Sequence, residues 1–171
     1  TRWRDTDLRV EGEAVDMLQF AFLYDWIFAN RRNQAGISEE ELTALFPKPE
    51  IAGELHCQVV TSGVETIESH MKLSVQRVLT TARKCIHIQT PYFSPSESIV
   101  DALQIALASG VEVILMIPGQ KSSFFLEPAT YHYISRLLPY GLKVFLYEGY
   151  LHAKTISVDE EIVCIGSVNM D

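Results

Sequence analysis

The residues best equipped for chemistry lie together in Y-L-H-A-K-T-I-S-V-D-E-E-I-V-C-I-G-S-V-N-M-D, Tyr150 to Asp171. His152 and Lys154 are two apart, so on an extended strand they share one face, about 6–7 Å from each other. Ile156 and Val158 continue that face and tie its register to a core. Asp159-Glu160-Glu161 reads as a turn and Ile162 to Ile165 as a returning strand. A two-residue turn at Glu160-Glu161 puts Asp159 opposite Ile162. Counting outward, Lys154 then faces Ser167 and His152 faces Asn169, as cross-strand neighbours about 5 Å apart. Gly166 allows a bulge or a close ligand approach there. The set offers a titratable nucleophile or acid, a cation, an amide donor and a hydroxyl. It suits a tetrahedral anion, above all a phosphate diester, whose non-bridging oxygens Lys and Asn hold while an imidazole attacks phosphorus. Taken singly, each residue is as well explained as decoration of a hairpin rim; the spacing of the whole set argues for chemistry.

The preceding chain must supply the scaffold. Residues 1–12 read as an extended segment closed by Gly12. Ala14 to Ala29 is expected as a helix, with Ala14, Leu18, Phe22, Leu23, Trp26 and Ile27 recurring at three- and four-residue steps. Ser38 three residues ahead of Glu41 predicts a capped short helix to Leu45, ended by Pro47 and Pro49. From His56 the pattern alternates. Strands are expected at His56–Val60, Cys85–Gln89, Val111–Ile117 and Lys143–Leu146. Helices are expected at Thr66–Ala82, Glu97–Ser109 and Pro128–Leu138. Such alternation predicts an α/β fold, a largely parallel or mixed sheet with helices on both faces in an α-β-α sandwich, with chemistry in loops at the C-terminal strand ends. Trp3 and Trp26 read as core or interface residues, and Tyr92-Phe93 in a Pro-flanked turn as packing residues that could also line a lipid pocket.

Composition narrows the partners. The 171 residues are 47% hydrophobic and carry a net charge of −8, enough for a real core and unfavourable for phosphate backbones. Arg2, Arg4, Arg9 and Arg31-Arg32 are dispersed among Asp5, Asp7, Glu11 and Glu13, so no nucleic-acid partner is expected. Cys57, Cys85 and Cys164 show no metal-binding spacing, and Cys164 in I-V-C-I reads as a buried thiol. No apolar run reaches the ~18–20 residues of a membrane span, and no signal peptide is visible. The chain begins at Thr1 in mid-pattern, which reads as a piece of a longer protein.

H-A-K-T-I-S-V-D, six residues, then G-S-V-N resembles the H-x-K-x4-D-x6-G-S-x-N signature of the phospholipase D superfamily. A chance match to six fixed residues is on the order of one in a million at average composition. I-Q-T-P-Y-F-S-P, G-V-E-V-I-L-M-I-P and Y-L-H-A-K resemble the second half of bacterial cardiolipin synthases. W-R-D-T-D-L-R-V-E-G…L-Q-F-A-F-L-Y-D-W is similar to the segment after their first catalytic motif. The resemblance implies residues 1–33 as the remnant of a first lobe, 34–54 as a linker and 55–171 as a second lobe. It implies a catalytic set of His152, Lys154 and Asp159, with Lys154, Ser167 and Asn169 binding the substrate phosphate. His152 would be one of two catalytic histidines, acid/base rather than nucleophile. Asp159, five positions beyond Lys154, is expected to be structural.

No metal or cofactor is implied. The implied reaction is phosphatidyl transfer between two phosphatidylglycerol molecules through a phosphohistidine, giving cardiolipin and glycerol at the cytoplasmic face of a bacterial membrane. A missing lobe or a dimer partner would supply the second motif. Other phospholipase D-type reactions (phospholipase D, phosphatidylserine synthase, a dimeric nuclease-like enzyme) and a fragment inactive alone remain open. The chain departs from the family at Asp7, where a His is common, at Glu13, where a Pro is, and at Ser122-Ser123, where an Asp-His pair is usual.

Overall fold

The structure, a computed structural model, describes residues 2–30, 36–48, 53–63, 69–119 and 126–170. In chain order the elements are β1 (Trp3–Arg4), α1 (Ala14–Ala29), α2 (Glu39–Leu45), α3 (His70–Thr81), β2 (Cys85–Gln89), α4 (Glu97–Ala108) and β3 (Glu112–Pro118). Then follow α5 (Leu126–Leu137), a 3-10 turn (Leu138–Tyr140), β4 (Lys143–Tyr147), β5 (Tyr150–Leu151), β6 (Thr155–Val158) and β7 (Ile162–Ile165). They form two compact units, Thr1–Leu8 with Met71–Asp171, and Arg9–His70.

In the larger unit a five-stranded sheet runs β4-β3-β2-β6-β7. β2, β3 and β4 are parallel, while β6 pairs antiparallel with both β2 and β7. Parallel neighbours need a crossover, which α4 and α5 provide. The register sets one face: Ile86 opposite Val113 and Val158, and Ile88 opposite Leu115 and Ile156. All six are buried, and with Val100 and Leu103 of α4, Leu137 of α5 and Leu79 of α3 they form the core. The alternate positions His87, Ile114, Met116 and Ser157 are exposed or half-buried, the pleat's other side. The fold is thus α/β with a mixed five-stranded sheet, and α3, α4 and α5 pack on it in a single core cluster.

Three expectations need correction. Residues 56–60 form no strand; His56, Cys57 and Gln58 are exposed, and a β pattern without a partner ladder does not hold an extended segment. The helix expected from Thr66 is described only from His70, and residues 64–68 lie outside the described residues. The β6–β7 hairpin pairs Val158 with Ile162, so its loop has three residues, not two. Asp159 (φ 56°) and Glu160 (φ 62°) both take the left-handed conformation, costly for non-glycine residues and in need of compensation. The whole hairpin register therefore moves by one residue.

In the smaller unit, Ser38 and Glu41 form the expected capping box: Ser38 Oγ accepts from the Glu41 amide, and the Glu41 carboxylate accepts from the Ser38 amide. α1 forms over the expected residues and leaves its apolar side chains uncovered. Leu23 is its single buried residue, and Phe20, Phe22 and Trp26 are 66%, 62% and 41% exposed. A helix apolar all round normally sits inside a larger assembly. This chain is therefore expected to self-associate, its light-scattering mass rising with concentration and falling when Phe20 and Phe22 are both changed to Glu. A clean monomer at high concentration would contradict this.

Candidate active site

The site grows from a short parallel pairing, Trp3 with Tyr150 and Arg4 with Leu151. The Tyr150 amide donates to the Arg2 carbonyl and the His152 amide to the Arg4 carbonyl, both at 2.8 Å. Gly149 permits this approach: its φ is 153°, and a Cβ there would lie 2.3 Å from the Arg2 carbonyl oxygen. Gly149→Ala is therefore expected to unseat β1 while leaving the main sheet folded. Loss of protection at the Tyr150 and His152 amides in hydrogen exchange checks this.

Beyond β5, burial alternates. Leu151 and Ala153 are fully buried, and Tyr150, His152 and Lys154 are half-buried. Small and apolar residues pin the segment inward, so the imidazole and the ammonium are directed to the other side. Across the pairing, Trp3 and Asp5 share a face for the same reason. Asp5 Oδ2 lies 2.8 Å from His152 Nδ1, and this bond leads the causes that hold the Asp5 carboxyl below its usual range, followed by the Thr6 amide. An ionised carboxylate only accepts, so Nδ1 carries the proton and Nε2 is the nitrogen left for chemistry. Among the described residues nothing bonds to Nε2. Lys154 Nζ donates to the His152 carbonyl.

Thr155 pairs with Gln89, the last residue of β2, so His152 and Lys154 sit at the C-terminal ends of the parallel strands. Ligands collect there in α/β sheets. Asp159 is at the other end of β6, about 16 Å along the strand from Lys154. Its carboxylate accepts the backbone N–H groups of Arg83, Lys84 and Cys85, each at 2.8 Å. These bonds, the Cys85 amide first, hold its carboxyl below the usual range and offset the left-handed turn. A depressed folded-state pKa contributes stability above the ordinary value of 3.8, and that contribution is lost as pH falls through the folded value. Asp159→Asn should thus lower the urea midpoint at pH 7 more than at pH 3. An equal gap at both would contradict the carboxylate's role.

The last hairpin rung is the Gly166 amide on the Lys154 carbonyl at 3.3 Å. The chain then leaves the ladder. Met170 pairs with Phe93, its amide donates to buried Thr90 Oγ1, and its carbonyl accepts from the Ser94 amide at 2.7 Å. The T-P-Y-F-S-P turn thus docks the segment bearing Asn169, and Phe93 is fully buried as packing. Asn169 Oδ1 is buried with no hydrogen-bond partner among the described residues; a carboxamide turned about χ2 would present donors there instead. Ser167 is exposed. No hydrogen bond joins Ser167 or Asn169 to His152 among the described residues, and the one-residue shift removes the expected pairings of Lys154 with Ser167 and His152 with Asn169.

Cys164 is half-buried, and burial pushes its thiol pKa up, away from reactivity. Trp3 is no core residue, at 63% exposed. Ser122-Ser123 lie outside the described residues. The sequence reading missed Asp5 as the partner of His152, although alternation in residues 1–12 already put it on the face of Trp3.

The chain is similar to several known proteins. A family model described as "Cardiolipin synthase, PLD-like domain" matches residues 75–171. The chain is 38% identical over 170 residues to a cardiolipin synthase of Listeria welshimeri and 39% identical over 170 residues to the major cardiolipin synthase ClsA of Bacillus subtilis. Each match covers 99% of this chain and 34% of the relative. Among solved structures, a phospholipase D family member, Nuc from Salmonella typhimurium, matches with a TM-score of 0.48 and 25% identity over 60% of this chain and 66% of that one. A phosphatidylserine synthase from Haemophilus influenzae matches with 0.49 and 17% identity over 61% and 29%. The chain belongs to the phospholipase D superfamily, in its cardiolipin synthase, phospholipase D-like domain family. It spans about a third of the length of the curated relatives.

Proposed function

We propose that this chain contributes one half of a phosphatidyltransferase site in a longer protein, joining two phosphatidylglycerol molecules into cardiolipin with release of glycerol. The observation that carries the reading is the His152 imidazole, oriented through Nδ1 by Asp5 at 2.8 Å beside Lys154, in a chain of this family. A second histidine, from the preceding lobe or a partner copy, attacks the donor phosphorus. The bond from phosphorus to the glycerol headgroup oxygen breaks, and His152, entering this step as the imidazolium with Nδ1–H held by Asp5, gives its Nε2 proton to that oxygen. Nε2 then takes the proton from a primary hydroxyl of the second phosphatidylglycerol, whose oxygen attacks the phosphohistidine and frees the second histidine. Lys154, Asn169 and Ser167 hold non-bridging oxygens, where charge builds in both steps; Asp159 fixes the hairpin at whose open end Lys154 lies, and the turn after β2 seats the segment with Asn169.

In this reading residues 1–33 belong to the preceding lobe, 34–54 link and 55–171 form the second lobe. The whole protein works at a membrane surface; no helix among the described residues is long and apolar enough to cross one. The test gives the longer protein vesicles of phosphatidylglycerol and measures cardiolipin and glycerol in equal amounts. Phosphatidic acid alone would mean that water is the acceptor, and phosphatidylserine on adding serine would mean a different transferase; either outcome overturns the assignment. The chain of 171 residues alone is expected to turn over negligibly.

A further inference from the structure

The Trp3 indole lies 4.5 Å from the Tyr150 ring, stacked at 21°, and 5.4 Å from the His152 imidazole, tilted at 34°. Tyr150 and His152 are 6.0 Å apart and nearly parallel. The three rings form a triangle, with Trp3 opposite its strand partner and diagonal to the imidazole. Burial does not account for the indole, since most of its surface faces solvent. Neither the phosphate-binding set nor the Asp5 bond involves it.

We propose that Trp3 is a positioning residue for His152, setting the plane of the imidazole; this rests on the reading of His152 Nε2 as the proton-transferring atom. The ring has two anchors, its Cβ and the Nδ1 bond to Asp5. It can still rock about the line joining them, and that motion sweeps Nε2 sideways. A displacement of about 1 Å at a reacting atom is enough to cost roughly 10²-fold in rate. An aromatic face against the imidazole blocks the rocking, and the Trp3–Tyr150 stack keeps that face in place. The β1 backbone thus brings both the carboxylate that selects the tautomer and the ring that selects the plane.

The experiment uses the 171-residue chain, labelled with ¹⁵N, near pH 8 where an ordinary imidazole is neutral. Long-range ¹H–¹⁵N spectra read its imidazoles, and His152→Gln identifies the His152 signals. The parent should show a fixed tautomer with widely separated nitrogen shifts and ring protons displaced by the indole. Rocking of the plane swings Nδ1–H off the Asp5 oxygen, so Trp3→Leu should mix the tautomers and draw the two nitrogen shifts together, while the Tyr150 and His152 amides stay protected from exchange. Trp3→Phe should restore the parental nitrogen pattern. Parent-like nitrogen shifts in Trp3→Leu would overturn the proposal. Loss of amide protection in both variants would do so too, making Trp3 a strand anchor only. The spectra read ring geometry and not turnover, so a failure of the phosphatidylglycerol assignment would leave this result standing.

Discussion

Changing His152 to Ala in the longer protein should lower cardiolipin formation from phosphatidylglycerol by about 10²–10⁴-fold, the usual worth of a positioned acid/base. The loss should fall on kcat, because the imidazole acts on oxygens whose charge changes only during reaction. Asp5→Ala should be milder, near 10²-fold, since Nε2 is then misplaced and not removed. The role of His152 is separable from that of the second histidine. A donor with a p-nitrophenyl ester in place of the glycerol headgroup has a leaving group that needs no proton. With this donor, His152→Ala should still release about one equivalent of p-nitrophenol in a burst and then stall, because the incoming alcohol has no base. The absence of a burst would make His152 the nucleophile. Full cardiolipin synthesis by the variant would refute any catalytic role.

The largest effect on stability is expected at Phe93. Its side chain is fully buried in the core cluster that also holds Met170, so Phe93→Ala removes packing and leaves a cavity, at a cost of about 3–5 kcal/mol. Against a typical total of ~5–15 kcal/mol, that should lower the melting temperature by roughly 6–20 °C. Phe93→Leu, which keeps most of the volume, should lose much less. Because Phe93 also seats the residue after Asn169, phosphate affinity in Phe93→Leu should weaken although the fold persists. A Phe93→Ala melt within a few degrees of the parent would show that the turn repacks.

Much of this was legible in the residues. Strict alternation in Cys85–Gln89 and the apolar run before Pro118 marked β2 and β3, because a buried face has period two and tolerates no slip. Ser38 with Glu41 marked a helix start because the bonds involved are local. His56–Val60 misled because an alternating pattern does not reveal whether a neighbouring strand exists to pair with it. The hairpin at Asp159 misled for a related reason. Its loop length was decided by three amides seventy-odd residues away, which no local turn rule contains.

The sequence by itself determined the chemistry available here: an imidazole, an ammonium, a hydroxyl and a carboxamide at fixed spacing, on an α/β framework, in a family set by that spacing. Tertiary structure decided which groups meet. Asp5 reaches His152 across 147 positions, Trp3 comes to the same ring, and Asn169 leaves the hairpin for the β2 turn. Local composition encodes propensity and pattern, whereas contacts between distant segments depend on strand order and on close approaches such as Arg2 at Gly149. Those are properties of the folded whole.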